Sequence, residues 1–144
     1  MLAAQDGHDP CARALIEAKA NIEVVECNGF TALMLSSGKG HEQIARELLQ
    51  AGAAVDARNS EGGTALMLSC QNSHKECTHE LLMANADPNK AANNGFTALM
   101  LSCQNGHLEV SCPTQTATLA LALAHPEPQA NAQPSFALSR SLAS

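Results

Sequence analysis

The chain has no tryptophan, no tyrosine and only three phenylalanines among its 144 residues. A core without large rings must be filled by small and aliphatic side chains, which suits close-packed helices better than a β-sandwich. Positive charge is scarce as well: eight Lys and Arg stand against fourteen Asp and Glu, a net charge of −6. The imbalance arises within residues 1–110, where thirteen acids meet seven bases. A duplex-binding domain carries a basic stripe that displaces counterions from phosphates; none is present, so no nucleic-acid partner is expected. Long apolar runs are missing too. "LALALA" (Leu119–Ala124) is far too short to span a bilayer, and "MLAAQDGHDP" lacks the basic and apolar regions of a secretory signal. There is no CxxC, no HExxH, no GxSxG elbow and no glycine-rich phosphate loop.

What is present is a period. "GFTALMLSCQNGH" (Gly95–His107) matches "GGTALMLSCQNSH" (Gly62–His74) at 11 of 13 positions and "GFTALMLSSGKGH" (Gly29–His41) at 10 of 13, each copy displaced by 33 residues. A fixed period of this size marks stacked supersecondary units. The register extends backward, placing Met1 with Met34, Met67 and Met100, and His8 with His41, His74 and His107. The chain therefore enters part-way along the first helix of a unit.

Each unit has its own physical logic. Asn28-Gly29 and Asn94-Gly95 are dipeptides suited to a tight hairpin that needs positive φ. Thr31, Thr64 and Thr97 are placed to cap a short helix, their hydroxyls accepting from its first unpaired N–H groups. "ALMLS" is too short to persist alone and depends on packing. A turn ("GKGH", "QNSH", "QNGH") reverses the chain into a second helix, about Glu42–Gln50 and Lys75–Ala84. Ile44, Ala45, Leu48 and Leu49 make its apolar stripe. Lys19, Gly52 and Asn85 fall where that helix should end in a left-handed residue; glycine and asparagine suit the position and lysine suits it less well.

These features, "NGFTALMLSCQNGHLEV" with "LL" and Gly-Ala further on, resemble the ankyrin repeat, a hairpin followed by two antiparallel helices. The resemblance covers residues 1–110. It implies an all-α ankyrin-repeat solenoid, divided as a truncated first unit (1–28), two full units (29–61 and 62–94), a partial unit (95–112) and an Ala/Ser/Pro-rich tail (113–144). The family's Thr-Pro-Leu-His reads Thr-Ala-Leu-Met in all three copies, which gives up a preorganising proline and replaces a polar tether with a flexible apolar filler. After Val110 the pattern stops. Pro113 falls where Glu47 and Glu80 sit mid-helix, and an interior proline costs about 3 kcal/mol or more. Either that helix ends near Cys112 or a new one starts with Pro113 in its first turn. Thr116–Ala124 then fits a helix over the end of the stack; its Leu/Ala alternation fits a strand as well, though alanine favours helix. Disorder is expected from Pro126 onward. Because neither end shows a polar capping unit, the chain reads as a window from a longer array, its tail arising from splicing, a shifted frame or a gene-model error.

The six cysteines do not read as a disulfide framework. Cys70 and Cys103 share one register position; Cys11 and Cys77 share another with Ile44, so these read as small apolar core sites with reduced thiols. That places the protein inside the cell, in the cytoplasm or nucleus. Equivalent histidines on neighbouring units lie roughly 8–10 Å apart, and zinc needs every donor within about 2.0–2.3 Å. Each histidine is therefore expected to close its own inter-helix turn. Ser36, Ser69 and Ser102 recur as packing residues, and no cofactor, metal or enzymatic activity is expected.

Binding is the remaining chemistry. The resemblance implies a concave groove lined by hairpin tips and first helices, contacting a protein partner at positions that vary among units. Carried onto this sequence, those positions are Cys27, Asn28, Phe30, Gly38 and Lys39, then Ser60, Glu61, Gly63, Gln71 and Asn72, then Asn93, Asn94, Phe96, Gln104 and Asn105. Phe30 and Phe96 are aromatic anchors for a partner or covers for their own hairpins; both readings stay open. The reading is a monomeric interaction module unless it belongs to a longer array. Two others compete: a metal- or redox-responsive protein using Cys70, Cys77, Cys103 and His74, and a truncated product without an independent role.

Overall fold

The computed structural model describes residues 1–106 and consists there of seven helices with no strand. The rest of the partial unit, the stretch Thr116–Ala124 for which a helix is expected, and the tail lie outside the described residues. In chain order the helices are α1 (Leu2–Gln5), α2 (Asp9–Glu17), α3 (Ala32–Lys39), α4 (Glu42–Gln50), α5 (Ala65–Gln71), α6 (Lys75–Met83) and α7 (Ala98–Gln104). They form antiparallel pairs, α1–α2, α3–α4 and α5–α6. The first helices pack in one row, α1–α3–α5–α7, and the second helices in another, α2–α4–α6.

The sequence explains the boundaries. Thr31, Thr64 and Thr97 have extended backbones, and their hydroxyls accept from the amides of Met34, Met67 and Met100 at 3.2, 3.3 and 3.4 Å. At the far ends of α2, α4 and α6 the chain turns through Lys19, Gly52 and Asn85, at φ 58, 89 and 63.

The core lies between the two rows. Leu33, Met34, Ile44, Leu66, Met67, Cys70, Cys77 and Leu81 are all at most 2% exposed. Leu99 is half-buried and Met100 is 50% exposed on the last described helix. Serine hydroxyls inside this core are satisfied by their own helix: Ser36, Ser69 and Ser102 donate to the carbonyls of Leu33, Leu66 and Leu99. Thr78 Oγ1 lies 2.9 Å from both the Ser69 hydroxyl and the His74 carbonyl. Ser37 is buried without a partner for its hydroxyl.

Two core expectations need correcting. Cys11 and Cys103 are exposed, unlike Cys70 and Cys77. Position alone does not bury a side chain in a solenoid; a neighbouring unit must stack on it. Cys11 lies on the first described pair and Cys103 on the last described helix. Leu15, on the rim of an open cleft that Ile44 and Leu48 also line, is 50% exposed where its equivalents Leu48 and Leu81 are 3% and 0% exposed.

Candidate functional site

The hairpins, here called fingers, are turns closed by one glycine each. Gly29, Gly62 and Gly95 have φ of 78, 78 and 82, and their amides donate to Glu26, Asn59 and Ala92 carbonyls at 2.8, 2.9 and 2.9 Å. The residue after each glycine accepts in return, as Phe30 O does from Glu26 N at 3.1 Å and Phe96 O from Ala92 N at 2.9 Å. This is the three-residue loop with a left-handed glycine, not the two-residue turn with two positive φ values that Asn-Gly suggests. Asn28 and Asn94 have negative φ. Pairing stops there, with a single isolated bridge, Ala91 to Thr97, among the described residues.

Successive fingers are stitched together. Ser60 donates its amide and hydroxyl to Asn28 O at 3.0 and 2.9 Å. Asn93 donates its amide to Glu61 O at 2.9 Å and its side chain to Ser60 O at 3.0 Å. Arg58 reaches forward to Ala91 O at 2.8 Å. Asn59, which the sequence reading passed over, is 8% exposed and braces its own finger, accepting from the amides of Glu61 and Gly63 at 3.1 and 2.7 Å. Its register equivalents are Glu26 and Ala92, so repetition alone gave no signal for it.

A second set of bonds runs along the C-terminal ends of the first helices. Asn72 donates to Gly38 O and Asn105 to Gln71 O, both at 2.8 Å. His41 and His74 use Nε2 towards Gln5 O at 2.9 Å and Gly38 O at 3.1 Å. A carbonyl only accepts, so Nε2 carries the proton in both rings. The histidines thus fasten each pair to the preceding one, where the sequence suggested closure of their own turn. The second helices carry ion pairs of the same period, Arg13–Glu47 at 2.6 Å and Arg46–Glu80 at 2.8 Å, and Arg46 also pairs with Glu42. The hydrogen bond from Arg46 holds the Glu80 carboxyl below its ordinary range against the opposing effect of partial burial.

Against this frame, Cys27, Asn28, Lys39, Ser60, Glu61, Gln71, Asn72, Asn93, Asn94, Gln104 and Asn105 are exposed. Gly38 and Gly63 are half-buried. So are Phe30 and Phe96, and Phe30 packs against the core. Four of these residues do double duty: Asn72, Asn93 and Asn105 spend a side-chain amide, and Ser60 its hydroxyl, on the neighbouring pair. Lys39, at the register position of Asn72 and Asn105, makes no such bond among the hydrogen bonds found and leaves its ammonium at the surface.

Among the described residues no set of three His, Cys, Asp or Glu side chains is placed to hold a metal ion. Burial, with smaller contributions from Glu42, Glu76 and Glu80, pushes the Cys77 thiol up to about 11, away from the reactive thiolate. Among the described residues no helix is long and apolar enough to cross a membrane.

No curated protein matches the chain. A family profile described as ankyrin repeats (3 copies) matches residues 1–59 and again residues 52–112. With helix pairs, fingers and inter-pair bonds recurring at the same period over that stretch, the chain belongs to the ankyrin-repeat family.

Proposed function

We propose that the chain is a protein–protein interaction module that meets a protein partner through its fingers and the ends of its first helices, and catalyses nothing itself. Ankyrin repeats are generally protein-binding modules and typically not enzymes. One observation carries the reading for this chain. The inter-pair bonds occupy backbone carbonyls of the fingers and helix ends, while the side chains of Cys27, Asn28, Lys39, Ser60, Glu61, Gln71, Asn94 and Gln104 stay exposed along the stack. Side chains displayed on a frame that is already braced bind with little ordering cost. Asn72, Asn93 and Asn105 join this surface with the part of each amide that the frame leaves over. Phe30 and Phe96 join it with their exposed edges, and aromatic side chains are over-represented among residues that dominate interfaces. Cys70 and Cys77, buried as small core side chains, support a reducing, intracellular setting, cytoplasmic or nuclear, and the module acts as a monomer unless it stands within a longer array.

The test uses photo-crosslinking at Glu61 to identify the partner, then titration with that partner in purified form. Replacing Lys39, Glu61 and Gln104 together by Ala should weaken binding at least about tenfold and change stability by no more than about 0.5 kcal/mol. Replacing Gln50 and Lys75 on the second-helix side should leave affinity unchanged. The reverse outcome, affinity lost on the second-helix side alone, refutes the assignment.

A further inference from the structure

The four first helices end on one register position, and its occupants differ. In chain order it holds Asp6, Lys39, Asn72 and Asn105, all exposed. Asn72 and Asn105 each give a side-chain N–H to the helix end before them, at Gly38 O and Gln71 O. Asp6 and Lys39 give nothing: among the described residues neither side chain makes a hydrogen bond or an ion pair. Lys39 has a local reason for its charge, standing in the last turn of α3, where unpaired carbonyls favour a cation. Asp6 has none, because it caps the same end of α1, where those carbonyls disfavour an acid. The other acids of these turns, Asp9 and Glu42, stand in the first turns of α2 and α4, at the end that suits them. Asp6 and Lys39 hold each other only weakly, since packed helices lie roughly 8–10 Å apart, about one Debye length.

Beyond Lys39 the row turns neutral. Gln71 and Gln104, one position before the two asparagines, are exposed and commit no side-chain group among the described residues. Asn72 and Asn105 keep an amide oxygen and a second N–H. Amides donate and accept at once, which suits the N–H and C=O groups of a peptide. A helical partner has already paired its own main chain and docks through an apolar face, and none of these six positions carries an apolar side chain. A β-strand repeats its facing side chains at about 6.6 Å, or about 13 Å at every second one, and both miss the step between helices. A polyproline-II segment repeats at every third residue, about 9.3 Å, and leaves its main chain unpaired. That form keeps pace with the stack.

We propose, resting on the interaction-module reading, that this row takes a segment of the partner in polyproline-II form. A basic side chain of that segment meets Asp6, and an acidic one three residues along meets Lys39. Uncharged residues continue over Gln71, Asn72, Gln104 and Asn105, whose amides pair with the segment's main chain. The acid therefore stands between the base and the uncharged stretch. A segment with the two charges exchanged would set like against like at both positions, so the row selects for order as well as composition.

A phage-displayed library of random linear peptides, selected on the immobilised full chain, supplies the probe. Enriched peptides should carry a base and an acid three residues apart, with the acid on the side of the uncharged stretch. Selection on the double variant Asp6→Lys, Lys39→Asp should return the two charges in exchanged order. For the strongest wild-type peptide, made synthetically, Lys39→Glu should weaken binding at least about fivefold, and exchanging the peptide's acid for lysine should restore it. All these positions are exposed, and far-UV circular dichroism checks that each variant keeps its helices. Peptides that lose binding on Gln71→Ala with Gln104→Ala, yet carry no such charge pair, would sink the charge order while leaving the interaction module standing. Peptides indifferent to all these substitutions, or no enrichment at all, would overturn the extended segment as the occupant, and photo-crosslinking at Glu61 judges the module separately.

Discussion

Leu15, Leu48 and Leu81 occupy one register position on α2, α4 and α6 and are 50%, 3% and 0% exposed, so one substitution made three times separates burial from chemistry. Leucine to alanine removes three carbons, about 2.4 kcal/mol of transfer free energy where the side chain is fully buried, at about 0.8 kcal/mol for each. A residual void of about 50 Å³ would add about 1.2 kcal/mol. Leu81→Ala should therefore cost about 3.5 kcal/mol. Leu48 borders a cleft of about 70 Å³ between the first two pairs, lined also by Ala4, Ala12, Ile16, Ile22 and Ile44. Part of its surroundings is already unfilled, which puts Leu48→Ala nearer 3 kcal/mol, roughly. Leu15→Ala forfeits about half of the transfer contribution and, because Leu15 lines the open side of the same cleft, only widens a space already open to solvent, for a loss of about 1 kcal/mol. Urea titrations followed by far-UV circular dichroism measure all three, with exchange of individual amides as a local check because repeat arrays lose their ends before their middles. A loss at Leu15 as large as that at Leu81 would refute the stacking account, since no arrangement of neighbours would then distinguish the positions.

The buried Ser37 hydroxyl lacks a partner, so Ser37→Ala should raise stability by about 1 kcal/mol, read from the urea midpoint; a lower midpoint would mean the hydroxyl is satisfied after all. Glu80 has a carboxyl held below its ordinary value by Arg46, so its stabilising effect is complete above the unfolded value of about 4.3 and is lost as pH falls through the depressed folded value. Arg46→Met should flatten the acid limb of the stability profile, and an unaltered limb would count against the pair. Under native conditions iodoacetamide should modify the exposed Cys11, Cys27 and Cys103 well before the buried Cys77, whose thiol is pushed up to about 11. Simultaneous labelling followed by mass spectrometry would contradict the core.

Much of the fold is written in the local sequence because its signals are local. A threonine before "ALMLS" caps the helix it precedes, and Lys19, Gly52 and Asn85 end helices through their own backbones. Relations between units were harder to read. Nothing about His41 or His74 in isolation says that each donates to a carbonyl 36 positions earlier, and an asparagine that looks free to meet a partner, such as Asn72, proves to be a tether. One relation was open to inspection: Arg13 and Arg46 each stand 34 positions before a glutamate, a spacing that the 33-residue period brings together. Exposure at Cys11 and Leu15 depends on what stacks beside them, which register alone does not supply. The surface residues are the least legible part, since a side chain facing outward leaves no trace in periodicity.

The cross-links between pairs share an arithmetic. Ser60 reaches back 32 positions, Asn72 and Asn105 reach back 34, and His41 and His74 reach back 36, each to the same place on the unit before. Copying or deleting an in-register block of 33 residues would therefore hand most donors a familiar acceptor, whereas inserting a single residue in one finger would displace every clasp that spans it. Such a chain can lengthen or shorten by whole blocks at little risk to its bonding pattern.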